Sequence, residues 1–151
     1  MAAGLKGRPA PSVAEVVNGF VNRRVALAAD QDVYGARDYW ATLDETVEAG
    51  RGDCEDFAIA KMQLLEAAGV APQDLYLLLV RDVGREVEHA VLLLREGSRL
   101  LVLDSASEQV APAGQVTRYR PLMAFSGEAR WLFRPDLVDV PAEEDAAVAA
   151  H

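Results

Sequence analysis

Three apolar runs in the second half of the chain most constrain its fold. They lie at residues 75–81, 87–94 and 100–104, and they are rich in Leu and Val, the composition of buried strands. The links between them are much shorter than the roughly dozen residues that a parallel crossover requires. The three runs are therefore predicted to pair as antiparallel strands, and segments 116–120 and 129–133 are predicted to extend the same sheet.

A long apolar segment precedes these strands. Residues 54–68 are apolar around most of a helical circumference, which is typical of a buried helix, and Gly69 follows them. Asp53 is a favourable N-cap, and Asp56 stands at the position that completes a capping box. The sequence therefore predicts a helix that begins at Cys54. This helix, packed on the antiparallel sheet, indicates an α+β domain.

The remaining segments complete a one-domain architecture. Residues 12–28 are predicted to form an opening helix with Ser12 as its cap, and residues 30–52 a polar and aromatic connection. A chain of 151 residues that is 51% hydrophobic can bury a sizeable core without disulfides. Residues 1–135 are predicted to form a single domain, and residues 136–151, rich in Asp, Glu, Ala and Pro, a flexible tail.

Charge and hydropathy exclude some classes of protein and leave others open. A net charge of -9 argues against general nucleic-acid binding, which depends on clustered Lys and Arg. No stretch approaches the roughly 20 apolar residues of a membrane span, and residues 1–11 lack the apolar centre of a signal peptide. A mature fragment from which a signal peptide has been removed would show the same lack of an apolar segment. The single cysteine is compatible with either a cytoplasmic or a periplasmic location.

Cys54 is the first candidate for chemistry. A thiol in the first turn of a helix faces free backbone N–H groups and the positive end of the helix dipole, which stabilise the thiolate. The chain offers one internal histidine, His89, to act as its base. The alternative is that Cys54 is a small buried apolar side chain beside acidic residues that simply favour a helix start.

His89 and Asp104 lie on two of the predicted strands. If residues 95–98 form a four-residue loop, Leu94 faces Arg99, and His89 lies directly opposite Asp104 on one face of the hairpin. In that register the carboxylate would orient the imidazole and leave its other nitrogen for the thiol. The alternatives are a hydrogen-bonded core histidine and an aspartate that caps the end of its strand.

The acidic residues around Cys54 point to a cation. Asp53, Glu55 and Asp56 should raise the pKa of the thiol by like-charge repulsion, so a neutralising group is expected. Ca²⁺ is the natural candidate, because it accepts several carboxylate oxygens in flexible geometry. The alternative is that these side chains are solvated and only complement the helix dipole.

These segments together resemble a known family. The residues concerned are Asp38-Tyr39-Trp40-Ala41-Thr42, Glu45, the block GDCEDFAIAK at 52–61, His89-Ala90-Val91-Leu92 and Leu103-Asp104. They are similar to the bacterial transglutaminase-like cysteine proteinases, and the resemblance spans residues from about 21 to about 131. The best-known members are periplasmic, calcium-dependent proteases that release biofilm adhesins from the cell surface.

The resemblance implies a papain-like, transglutaminase-like fold in which the central helix carries the nucleophile. It also implies Cys54 as nucleophile, His89 as general base and acid, Asp104 as orienting carboxylate, and calcium ligands at Asp53 and Glu55, with Asp56 as a further candidate. A surface adhesin would be the protein substrate, a membrane-bound receptor the regulatory partner, and the periplasm the location.

Two other functions use the same residues. An acyltransferase of transglutaminase type would let an amine resolve the acyl-enzyme in place of water. A catalytically silent, calcium-dependent module would bind a peptide in the same groove without cleaving it.

Overall fold

The structure is a computed structural model that describes residues 1–134 and the backbone of residues 149–150. Its helices occupy the first half of the chain. They are α1 (Ala10–Arg24), α2 (Asp30–Tyr34), α3 (Leu43–Ala49) and α4 (Cys54–Ala67), with short 3-10 turns at Ala2–Leu5, Pro72–Asp74 and Ala113–Gln115. Within residues 1–134 and 149–150, none of the helices has the length and apolar character required to cross a bilayer.

The strands form one small and one large sheet. Their bounds are β1 (Ala26–Leu27), β2 (Arg51–Gly52), β3 (Leu75–Asp82), β4 (Val87–Glu96), β5 (Arg99–Leu103), β6 (Ala111–Pro112), β7 (Tyr119–Ser126), β8 (Ala129–Leu132) and β9 (Ala149–Ala150). Strands β1 and β2 pair in parallel. The other seven form an antiparallel sheet in the order β6-β5-β4-β3-β7-β8-β9.

Helices α1 and α4 pack against one face of the large sheet. The main core lies between these helices and the sheet and includes Val13, Val17, Val21, Phe57, Leu65, Leu75, Leu92, Leu94 and Leu103. A smaller apolar cluster containing Leu78, Val80, Val91, Val102, Tyr119 and Ala124 lies on the opposite face. This arrangement confirms the predicted α+β architecture, with the helix that carries Cys54 packed on an antiparallel sheet.

The register of the β4–β5 hairpin differs from the prediction. Glu96 pairs with Arg99, so the turn contains two residues, Gly97 and Ser98, and not the four at 95–98. Gly97 has a φ of +59°, which glycine adopts readily and which suits a tight hairpin turn. The pairing is therefore displaced by two residues, and His89 lies diagonal to Asp104 and not directly opposite. Because the displacement is an even number, the two residues still share one face.

The first fifty residues contain more structure than the sequence indicated. Helix α1 begins at Ala10 and ends at Arg24, and its N-cap is Pro9, without a side-chain cap within the described part of the chain. Ser12 is therefore inside the helix, and the predicted span 12–28 is displaced. Segment 30–52, predicted as a connection, contains α2, α3 and β2. The start of α3 carries a capping box between Thr42 and Glu45.

The strand predicted at 116–120 overlaps only the start of β7, which runs to Ser126. The pairing of β7 with β3 shifts between Leu79 and Val80, where Val80 faces Pro121. Proline has no backbone N–H to donate, and within sheets it is found at such irregularities. The bulge explains why a proline lies within a strand that was predicted to end before it. The predicted tail at 136–151 lies outside the described residues, apart from β9.

Candidate active site

Cys54 is the first residue of α4, as the capping pattern predicts. The Asp53 carboxylate accepts hydrogen bonds from the backbone N–H groups of Glu55 and Asp56 at 3.1 and 3.2 Å. In return, the Asp56 carboxylate accepts the Asp53 N–H at 3.2 Å. This reciprocal capping box fixes the first turn of the helix and leaves the Cys54 N–H at its positive end.

Gly52 permits this close packing. A Cβ at this position would lie 2.7 Å from Oδ2 and 2.8 Å from Cβ of Asp56, closer than real Cβ contacts allow. Asp56 itself is fully buried and also accepts the Ala41 N–H at 2.8 Å. The glycine before Asp53 is thus required so that the Asp56 carboxylate can turn back onto the helix start.

His89 and Asp104 are in direct contact. Nε2 of His89 lies 2.7 Å from Oδ1 of Asp104, and only 9% of each side chain is exposed. Oδ1 also accepts the Ala106 N–H at 2.9 Å, and Oδ2 accepts a hydrogen bond from the Tyr119 hydroxyl. Burial alone would raise the pKa of Asp104, but these hydrogen bonds from His89, Tyr119 and Ala106 outweigh it and lower the pKa to about 2.

Cys54 and His89 line the same pocket, which has a volume of about 450 Å³. Asp104 accepts the hydrogen bond from Nε2 of the imidazole, so Nδ1 is left for a second partner. The thiol of Cys54 donates to Oε2 of Glu55 at 3.0 Å. Burial, followed by this bond and the charge of Glu55, raises the pKa of the thiol, while the Ala90 backbone N–H acts to lower it. Burial and the Glu55 carboxylate thus both favour the protonated thiol over the thiolate.

An acidic cluster lies beside this pocket. Carboxylate oxygens of Asp30, Asp53 and Asp56 all lie within 4.8 Å of one another. Asp30 is 3% exposed, and its Oδ2 accepts the Tyr39 N–H. Its Oδ1 is buried without a hydrogen-bond partner among the described residues. The structure thus joins the predicted ligands Asp53 and Asp56 to Asp30, whereas the carboxylate of Glu55 is directed to the thiol.

The electrostatics of this cluster favour a bound cation. Burial, followed by the negative charge of Glu55, raises the pKa of Asp53, and Asp30 and Asp56 add to the effect. Burial also raises the pKa of Asp56, which Asp30 and Glu55 increase further, although backbone hydrogen bonds oppose the shift. Three converging carboxylates and one free buried oxygen are a donor set that fits a hard divalent cation such as Ca²⁺.

Comparison with known proteins identifies the chain. The family model described as "Bacterial transglutaminase-like cysteine proteinase BTLCP" matches residues 8–132. The chain belongs to this family. It is a cysteine protease, and the resemblance predicted from the GDCED block is confirmed. A search of curated protein sequences finds no match to the chain.

Three solved structures of one bacterial protein match the fold. LapG of Legionella pneumophila has a TM-score of 0.78 and 32% identity, over 87% of this chain and 73% of LapG. The calcium-bound structure of LapG has a TM-score of 0.78 and 33% sequence identity, over 87% of this chain and 73% of LapG. The EGTA-treated structure of LapG has a TM-score of 0.78 and 31% sequence identity, over 88% of this chain and 72% of LapG. The papain-like, transglutaminase-like fold class predicted from the sequence is therefore confirmed for this proteinase.

Two contributors to the site of this proteinase were not predicted from the sequence. Asp30 is distant from the GDCED block in the sequence, in a segment that was predicted as a plain connection. Tyr119 reaches Asp104 from β7, which was placed too early in the chain. An Asp that begins a short helix and a Tyr at the start of a strand are common features, so neither position carries a local signal of its role.

Proposed function

We propose that this proteinase is an endopeptidase with a Cys54–His89–Asp104 triad and a calcium requirement. The observation that carries the proposal is the 2.7 Å contact of Asp104 with His89, because His89 lines the same pocket as Cys54 at the start of α4. A buried imidazole that is held by a carboxylate beside a thiol is the arrangement that nucleophilic catalysis requires.

Acylation uses the chain's own groups. Nδ1 of His89 takes the proton of the thiol, and the sulfur attacks the peptide carbonyl carbon. The Cys54 backbone N–H stabilises the resulting oxyanion from the helix start. As the C–N bond breaks, His89 gives its proton to the departing amine, and a thioester remains on Cys54.

Deacylation returns the enzyme to its first state. His89 removes a proton from water, the hydroxide attacks the thioester carbonyl, and the C–S bond breaks with return of the proton to sulfur. Asp104 keeps the imidazole oriented and stabilises its charged form in both halves of the reaction. The low pKa of Asp104 keeps this carboxylate ionised throughout.

Calcium would be held by Asp30, Asp53 and Asp56, with Glu55 as the further ligand that the family resemblance implies. The fit rests on the convergence of the three aspartates and on the free buried oxygen of Asp30. The calcium-bound LapG structure supports the same cation for this chain. When bound, calcium would offset the carboxylate charges that raise the pKa of Cys54 and hold the loop before α4 in place.

The family resemblance supports a substrate and a location. We propose an extended linker of a large surface adhesin as the substrate, the periplasm as the location, and a membrane-bound receptor as the regulatory partner. To test the substrate class, new N-termini in surface proteins would be identified in cells that carry the wild type or C54A. Cuts that appear only with the wild type support the proposal, and identical patterns contradict it.

The triad itself is tested by the rate of Cys54 alkylation with iodoacetamide, in saturating calcium and in EGTA. The wild type should react at a rate at least about tenfold above H89A and D104N, because an oriented base raises the thiolate fraction. The rate should fall in EGTA. Equal alkylation rates in the wild type and in H89A would contradict the proposed triad. Full reactivity of Cys54 in excess EGTA would contradict the calcium requirement.

The metal ligands are tested with a matched pair of substitutions in α2. We predict that Asp30→Asn weakens calcium binding at least about tenfold, since affinity depends on the number of ligand charges. Asp32→Asn removes an exposed carboxylate of the same helix and should leave the affinity unchanged. Isothermal titration with calcium measures both variants. Equal affinities for the two variants would exclude Asp30 as a ligand.

The product distinguishes hydrolysis from acyl transfer. With a primary amine added in excess, an endopeptidase should still release the free carboxylate of the cleaved linker. Mass spectrometry of that product is the measurement. A product modified by the amine as its main form would contradict hydrolysis and favour an acyltransferase.

A further inference from the structure

Lys61 is a buried cation that the proposed mechanism does not use. Its residue is 0% exposed, and its Nζ has no hydrogen-bond partner within the described part of the chain. The ring of Phe57 lies below it, with the centroid 5.7 Å from Nζ. Burial lowers the pKa of Lys61 to about 7, and the charges of Asp104 and Glu108 act against this shift. Packing alone gives no reason for a lysine at this position, because an apolar side chain of similar length avoids the desolvation cost.

Two asparagines of α1 hold the loop that follows Asp104. Nδ2 of Asn22 donates to the backbone oxygens of Asp104 and Ser107, both at 2.9 Å. Nδ2 of Asn18, one helical turn earlier, donates to the oxygens of Ser107 and Glu108 at 2.9 and 3.2 Å. The position of the Asp104 backbone therefore depends on contacts made from the helix layer.

The amide oxygens of both asparagines, like the ammonium of Lys61, lack hydrogen-bond partners among the described residues. Oδ1 of Asn18 and Oδ1 of Asn22 are buried and have no hydrogen-bond partner among residues 1–134. An ammonium supplies three donors and no acceptor, so Lys61 complements the two free acceptors. Helices α1 and α4 pack together. Asn18 donates to the backbone oxygen of Glu108, and the charge of Glu108 acts on Lys61. Buried polar groups of this kind are almost always paired.

We propose that Lys61 is a positioning residue for the triad. Through one buried water, its ammonium binds Oδ1 of Asn18 and of Asn22 and so fixes the loop at 104–108 that presents Asp104 to His89. Its charge also favours the ionised Asp104 carboxylate. This inference rests on the proposed triad, but its test does not require proteolysis.

The first measurement uses the near absence of other lysines. The chain contains only Lys6, which is exposed, and Lys61, so a spectrum of the lysine Hε–Cε groups has two signals. We expect D104N and N22A each to move the Lys61 signal, while the Lys6 signal stays in place as the internal control. A Lys61 signal that is unchanged in both variants overturns the proposal. This arm does not depend on a substitution at Lys61.

The second measurement uses Lys61→Met, which keeps the length of the side chain and removes its charge. We expect the rate of Cys54 alkylation by iodoacetamide in calcium to fall at least about tenfold, because small displacements of a catalytic group are costly. The ring signals of His89, separated from those of the terminal His151, should move as well. Leu65→Met changes another fully buried side chain of α4 and should alter neither quantity.

Coupling within the network separates positioning from general damage to the core. Because Lys61 and Asn22 act through the same loop, the rate loss in K61M/N22A should be smaller than the product of the two single losses. A folded K61M with the wild-type alkylation rate and unchanged His89 signals overturns the proposal. A rate loss in K61M/N22A equal to the product of the two single losses overturns it as well. If instead C54A leaves the cleavage pattern unchanged while these signals respond, the protease proposal fails and the positioning role of Lys61 stands.

Discussion

Both oxygens of the Asp104 carboxylate accept hydrogen bonds, and these bonds fix the position of the carboxylate in the site. His89 and the Ala106 N–H bind Oδ1, and Tyr119 binds Oδ2. Arg118 in turn donates to the Tyr119 hydroxyl at 3.1 Å. The carboxylate is buried, so each of these bonds replaces a water that it has lost. The orientation of His89 follows from a carboxylate that has little freedom to move.

Removal of the Tyr119 hydroxyl tests this arrangement. Tyr119→Phe leaves one buried carboxylate oxygen without its donor, and we expect the free energy of unfolding to fall by about 1–3 kcal/mol. Cys54 alkylation should slow as the Asp104 carboxylate becomes freer to rotate. Tyr76→Phe, on β3 against Trp131, is the control, because it removes a hydroxyl distant from the triad. Denaturant unfolding measures both variants, and equal stabilities would contradict the role of Tyr119.

The pKa of Asp104 predicts how stability depends on acid. Its folded-state pKa of about 2 lies below the unfolded value of about 3.9, so the group stabilises the fold above pH 4 and loses this effect as pH falls towards 2. The wild type should exceed D104N by about 2 kcal/mol at neutral pH through this effect, and the difference should shrink near pH 2. Unfolding in denaturant at several pH values measures it. A stability difference between the wild type and D104N that stays constant from neutral pH to pH 2 would exclude the effect.

At the scale of elements, the start of α4 combines three requirements in a few residues. The capping box fixes the helix, the first turn presents the thiol, and the acidic side chains lie beside the pocket. Strand β2 ends at Gly52, immediately before the cap, and pairs with β1. Segment 51–56 therefore links the small sheet, the nucleophile and the acidic cluster.

Gly52→Ala should damage all three features. The added Cβ meets the Asp56 side chain at 2.7 to 2.8 Å, so Asp56 must leave its bonds to Asp53 and Ala41. We expect a loss of about 1–3 kcal/mol in stability, in the range for an overpacked site, and weaker calcium binding. Gly114→Ala is the control, since its Cβ would point into open space. Thermal unfolding and calcium titration measure both, and wild-type behaviour of G52A would show that the Asp56 contacts do not matter.

At the scale of the whole molecule, the packing of the helices on the sheet brings together residues that lie far apart between positions 30 and 119. Cys54 comes from α4, His89 from β4, Asp104 from the end of β5, and Tyr119 from β7. The acidic cluster draws Asp30 from α2. Damage to the packing of α1 and α4 on the sheet should therefore affect the site even where no triad residue is altered.

The domain boundary predicted from composition is tested by truncation after Pro135. We expect the shortened chain to keep its unfolding midpoint and its alkylation rate, because the core and the pocket are built within residues 1–134. Among the described residues, the truncation removes the two-residue pairing of β9 with β8. Calorimetry and alkylation measure the effect. A large fall in either value would place residues 136–151 within the domain.

Local chemistry explains what the sequence by itself determined. The start of α4 at Cys54 follows from a capping box contained within four residues, and the antiparallel order of β3, β4 and β5 follows from apolar runs joined by short links. The shared face of His89 and Asp104 also survived the incorrect hairpin register, because strand alternation depends only on whether the shift is even. The family followed from a block of adjacent residues.

Only the tertiary structure decided the partners that are distant in the chain. The contacts of Asp30 in the acidic cluster and of Tyr119 on Asp104 are ones that no local pattern specifies. The burial of Lys61, where the charges of Asp104 and Glu108 act on it, is likewise visible only once α1 and α4 are packed. Capping and strand alternation act over a few bonds and can be read from spacing. Burial and long-range hydrogen bonds depend on how the helices and the sheet pack against one another.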